Sequence, residues 1–237
     1  MNLFITFLFG LTILIGVLFI LVSKNNKRIV EISISMAFSI LLFLIFFELI
    51  PEVREHLDII YLVLGTMAGV CLLKLLDVFI PSHEHSSSFN HVLHISLITS
   101  IALILHNIIE GMALYISLKN DIHMGLLLGF GIGLHNIPMG MVIASTLKEA
   151  KYSNIKIIIL SFIISLSTLL GGFIICLFNN VSTFTIGIML ALTLGMIIYI
   201  IFFELLDHLF HQERKNNIIG IIIGIIIFLI SLLFHSH

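Results

Sequence analysis

Apolar runs of about twenty residues alternate with short polar breaks along nearly the whole chain. A helix that crosses a hydrocarbon layer needs roughly 20 predominantly apolar residues. Eight runs qualify, at 3–22, 32–50, 59–80, 96–118, 123–147, 156–178, 184–206 and 217–234. The third carries Lys74 and Asp77 near its end. The breaks leave no room for a soluble domain. The pattern therefore predicts an all-α, polytopic bundle of eight transmembrane helices, one domain over 1–237, with a longer polar connection at 81–95. The first run has neither a basic leader nor a small-residue cleavage pattern, so it reads as a membrane helix rather than a signal peptide.

Composition strengthens this picture. Hydrophobic residues make up 59% and charged residues 10% of the 237 positions, with a mean hydropathy of +1.23. A soluble domain carries about 25% charged residues. The environment implied is a lipid bilayer. A net charge of −2 without a basic face excludes nucleic acid as a partner. Cys71 and Cys176 both lie inside apolar runs and read as small packing residues, not as a disulfide or a thiolate metal site. Nine Lys/Arg fall at odd-numbered connections and only two, Arg54 and Lys119, at even-numbered ones. The positive-inside rule then puts both termini outside the cytoplasm. Ile/Asn/Lys-rich usage and short connections point to an AT-rich bacterial source, and so to the cell membrane.

One phrase occurs twice inside this apolar sequence. Leu105-His106-Asn107-Ile108-Ile109-Glu110-Gly111-Met112 returns as Leu134-His135-Asn136-Ile137-Pro138-Met139-Gly140-Met141, with six of eight positions identical. A shorter phrase, Phe46-Phe47-Glu48-Leu49, returns as Phe202-Phe203-Glu204-Leu205. Both repeats join segments that run in opposite directions, the pattern of an inverted repeat. Secondary transporters built this way hold substrate at the membrane midplane, between the halves.

Polar side chains at that depth are costly unless partnered, and they mark functional sites. His106 and Glu110, four residues apart, share one helix face, with Asn107 about 100° round. His135 and Met139 have the same spacing, with Asn136 beside them. The short link around Asn120-Asp121 makes the two segments an antiparallel hairpin, so the phrases meet. Pro138 removes a helix hydrogen bond and frees the Leu134 carbonyl as a further oxygen donor. Gly111 and Gly140 permit close helix approach. Imidazole, carboxylate, amide and one thioether together suit a borderline dication such as Zn(II) or Fe(II), with Mn(II) at the harder end. The plainer reading is interhelical hydrogen bonding. No prosthetic group is implied, because the ion is cargo.

These residues resemble the ZIP (Zrt-, Irt-like) family of divalent-metal transporters. Its fourth helix carries His-Asn-x-x-Glu/Asp-Gly, matched by His106, Asn107, Glu110 and Gly111. Its fifth carries a similar phrase, matched by His135, Asn136, Pro138 and Gly140. The stretch Phe47-Glu48-Leu49-Ile50-Pro51-Glu52 is also similar to the family. The resemblance implies eight helices with both termini outside, and transport of zinc, iron or manganese toward the cytoplasm by alternating access. It also implies a primary site of His106, Glu110 and His135, with Asn107 and Asn136 close by. The fifth-helix carboxylate that bridges two metals in family members is Met139 here, and segment 156–178 offers no carboxylate. A site with one carboxylate favours a single ion. Three alternatives remain open at this point: a metal-binding sensor without transport, a bis-His membrane haem protein, and an intramembrane metallohydrolase. The last lacks His-Glu-x-x-His.

Other polar features have two readings each. His83, Glu84, His85, His91 and His94 make 81–95 a cytoplasmic metal-catching loop or a solvated one. His208 and His211 are exit ligands or a solvated helix end. Glu48 and Glu204 relay metal near opposite faces or are interfacial carboxylates. Glu52, Glu55, His56 and Asp58 attract cations at the outer mouth or are an ordinary loop. A homodimer is compatible with all of this.

Overall fold

A computed structural model describes residues 1–23, 27–79, 88–177 and 182–235. Among these there is no strand, and eight long helices account for nearly everything: α1 (Asn2–Val22), α2 (Lys27–His56), α3 (Ile59–Phe79), α4 (Ser88–Asn120), α5 (Ile122–Glu149), α6 (Asn154–Leu177), α7 (Thr183–Phe210) and α8 (Arg214–His235). All but α8 contain a stretch long and apolar enough to cross a membrane among the described residues, and α8 itself runs for 22 residues. Large apolar side chains such as Phe4, Phe19, Leu64, Ile159 and Phe173 are exposed around the bundle. That surface suits lipid, where helices gain nothing by hiding leucine and associate instead through small residues and polar contacts.

Helices α2 and α7 run past the ends that the hydropathy pattern predicts. The run ending at 50 before Pro51 continues to His56, and the run ending at 206 continues to Phe210. Each passes through a π-helical turn, Ile45–Leu49 in α2 and Ile200–Leu205 in α7. Pro51 sits in the first turn of the α-helical piece that follows, where a missing N–H is tolerated. Asp207 follows the second π-turn in place of proline, so proline is not what makes these turns. Glu48 is therefore not at a helix end; two further turns lie beyond it. At 81–95, residues 81–87 lie outside the described residues, and 88–95 form the first two turns of α4 rather than loop.

The inverted repeat is visible in the helix contacts. A methyl group on Gly111 of α4 would strike the Thr168 carbonyl of α6, and one on Gly171 would strike the Ile108 carbonyl. The same reciprocal pair joins α5 to α1: Gly140 faces the Ile13 carbonyl and Gly16 the Ile137 carbonyl. Gly69 of α3 abuts Leu192 of α7 as Gly224 of α8 abuts Met36 of α2. Helices α1–α3 thus correspond to α6–α8, and α4 to α5. Even a back-bonded hydroxyl is repeated, with Thr12 donating to the Phe9 carbonyl and Ser167 to that of Ile164. The symmetric demand falls on glycines because only they let backbones approach this closely.

Candidate metal centre

Helices α4 and α5 form the expected hairpin. Asp121 caps α5, its carboxylate accepting from the His123 and Met124 backbone N–H groups at 2.8 and 3.3 Å. The pairing brings one carboxylate between two imidazoles. Glu110 Oε1 lies 2.8 Å from His106 Nε2 and 2.6 Å from His135 Nε2. The ring centroids are 6.0 Å apart. Both histidines are 3% exposed. Glu110 Oε2 is buried without a hydrogen-bond partner, and a buried carboxylate oxygen left over in this way is costly unless something cationic uses it. One ligand atom from each residue fits within 4.8 Å. A tetrahedral dication with bonds of 2.0–2.1 Å requires ligand atoms about 3.3 Å apart, so each His–Glu pair must spread by several tenths of an ångström to take one.

The other predicted ligands are placed differently. Asn107 is fully buried and turns toward α6, its Nδ2 a long 3.5 Å from the Ile164 carbonyl. Asn136 is fully buried and makes no hydrogen bond. Met139 is 2% exposed within the hydrophobic core. None of the three lines the cavity that holds the triad. Leu134, whose carbonyl Pro138 leaves free, does not line that cavity either. Leu134 and Pro138 border a separate cleft, walled by apolar side chains of α1, α2 and α8.

The triad opens into a cavity of about 180 Å³ that is also lined by Leu44, Glu48, Leu49 and Glu52 of α2. A second cavity of about 330 Å³ shares Glu52, Ile109, Ala113, Leu128 and Leu190 with it and continues to His56 and Ser117. Together they form a path from the triad to the end of the bundle where α2 meets α3 and α4 meets α5. The opposite end has its own cavity, about 360 Å³, lined by Lys27, Glu31, Lys148, His208 and His211 among others, and it shares no residue with the triad cavity. A polar knot ties that end together. The buried Glu31 accepts from Asn216 Nδ2 at 2.7 Å, Ser35 donates to Asn217 Oδ1 at 2.9 Å, and Asn217 donates to the Leu209 carbonyl at 2.7 Å. Lys148 donates to the Ile20 carbonyl at the end of α1, where a cation also suits the helix dipole. The triad cavity thus continues toward one end of the bundle and, among the described residues, shares no lining residue with the cavity at the other end.

A family model described as ZIP zinc transporter matches residues 80–232. A protein named zinc transporter ZupT from Chlorobium chlorochromatii is 30% identical over 97% of this chain and 95% of its own length. The chain belongs to the ZIP family. ZupT proteins of Chlorobium luteolum and Streptococcus mutans are 32% and 29% identical, again over nearly their full lengths. ZIP membership makes the chain a multi-pass membrane transporter of the cell membrane rather than an enzyme. The haem alternative fails on space as well. A cavity of about 180 Å³ is smaller than the 300–1,000 Å³ of clefts for drug-sized molecules, and the Glu110 carboxylate fills the gap between the rings.

Proposed function

We propose that this protein moves zinc, or a closely similar dication, into the cytoplasm by alternating access, with His106, Glu110 and His135 binding one ion at midplane. The carrying observation is the convergence of two buried imidazoles on one carboxylate oxygen, with the second oxygen unpartnered. The ligand types suit a borderline ion, and the absence of thiolate favours release. The relatives named zinc transporters support zinc as the cargo. The Lys/Arg bias assigns the open face, between α2 and α3, to the outside. On that assignment the structure is outward-facing, with the Glu31–Asn216 knot closing the cytoplasmic side. Inward opening requires that knot to break. Direct proof is divalent-ion uptake by proteoliposomes containing the purified protein, run across a panel of ions. Uptake of zinc by the wild type and its loss in His106→Ala support the reading. Equal uptake by both proteins refutes the site, and no uptake of any dication refutes transport.

A further inference from the structure

The triad supplies one negative charge for an ion that carries two. Uncompensated charge in a low-dielectric interior is costly. Met139, at the position in the second phrase that corresponds to Glu110, is a neutral thioether packed in the hydrophobic core and supplies no charge. The cavity wall offers another source. Among the described residues, Glu48 and Glu52 are the other carboxylates lining the triad cavity. Glu52 also borders the outer path; Glu48 borders only the triad cavity. The π-turn at Ile45–Leu49 widens α2 at this level, and Leu44, Glu48 and Leu49 all reach the cavity wall. Single π-turns of this kind recur at functional sites. Glu48 and the His135 ring line the same cavity of about 180 Å³.

We infer that Glu48 of α2 is the second anionic group of the metal centre, supplying across the cavity the charge that Met139 does not. The inference rests on the triad reading above. Charge balance then comes from two helices that belong to different parts of the bundle, α4 and α2. Sliding α2 away from the α4–α5 hairpin would weaken the hold on the ion and favour its release.

The test uses the full chain in detergent, with Co²⁺ as the probe, titrated by chelator competition and followed in its visible ligand-field bands. Size-exclusion behaviour and thermal melting establish that each variant is folded. Glu48→Gln keeps shape and removes charge; it is expected to weaken Co²⁺ binding by about 10- to 100-fold and to alter the bands. Glu48→Asp restores the charge and is expected to recover part of the loss. Glu52→Gln, nearer the mouth, is expected to cost less than Glu48→Gln. Glu110→Gln is expected to abolish binding. If Glu110→Gln abolishes binding while Glu48→Gln binds within twofold of wild type with unchanged bands, the role of Glu48 is overturned and the triad stands. If Glu110→Gln binds as wild type, the triad falls, and the role of Glu48 falls with it.

Discussion

The two copies of the His-Asn phrase share a backbone and differ in chemistry. Gly111 and Gly140 occupy equivalent positions, each pressed against a carbonyl of an outer helix, Thr168 in one half and Ile13 in the other. His106 and His135 are equally buried and meet on one oxygen. Yet that oxygen belongs to Glu110 of the first copy, while its counterpart Met139 packs into the core. Ile109 of the first copy lines the triad cavity, while Pro138 of the second borders an apolar cleft elsewhere. Packing has kept the symmetry because a fold of duplicated halves needs the same close approaches on both sides. The cluster has lost it, because only the first copy supplies a carboxylate.

The largest expected effect comes from removing the carboxylate that only the first copy has. Glu110→Gln keeps the volume and hydrogen-bonding capacity but loses the charge, and zinc uptake into proteoliposomes should fall about 100-fold or more. Uptake above a tenth of wild type would mean that the ion is held elsewhere. Making the second copy resemble the first should act in the opposite sense. Met139→Glu buries a carboxylate in an apolar setting, so the metal-free protein should lose about 3 kcal/mol and melt lower. An ion that binds the folded state should restore more stability than it does in the wild type, with tighter zinc affinity by equilibrium dialysis. Unchanged affinity would show that a side chain at 139 cannot reach the ion. The shared packing sets the third test. Gly111→Ala and Gly140→Ala should each cost about 1–3 kcal/mol by overpacking, with similar falls in melting temperature. A large difference between them would break the symmetry of the packing.

How much of this was legible in the sequence follows from the range of each interaction. The helices and the triad depend on local spacing: apolar runs near twenty residues, four residues between His106 and Glu110, and a short link that folds α4 against α5. The extension of α2 past Pro51 was hidden, because a proline after an apolar run normally marks a helix end, and a π-turn leaves no simple signature. That misplaced Glu48 at a membrane face when it lies beside the triad. Asn107 was assigned to the site by its proximity on the helix, but 100° of rotation turns it to α6. The Glu31–Asn216 bond joins residues 185 apart in sequence, and no periodicity announces such a pair. Its one local trace is Lys27 four residues before Glu31, with their charges 3.5 Å apart.

The smallest effect is expected where the copies differ without touching the ion. Pro138 lies inside a helix that continues to Glu149 without a break. In water a proline there would cost about 3 kcal/mol relative to alanine. In this fold the surrounding helices have already accommodated the ring, so filling the missing hydrogen bond gains something while removing the ring loosens the apolar cleft against Ile15, Met36 and Ile223. The two contributions oppose each other. Pro138→Ala should shift stability by about 1 kcal/mol or less and leave the zinc affinity of the purified protein within about twofold, because neither Pro138 nor Leu134 lines the triad cavity. A tenfold loss of affinity on titration would return the freed carbonyl to the coordination sphere. It would also make the proline, rather than the glycines, the feature of the second copy on which function turns.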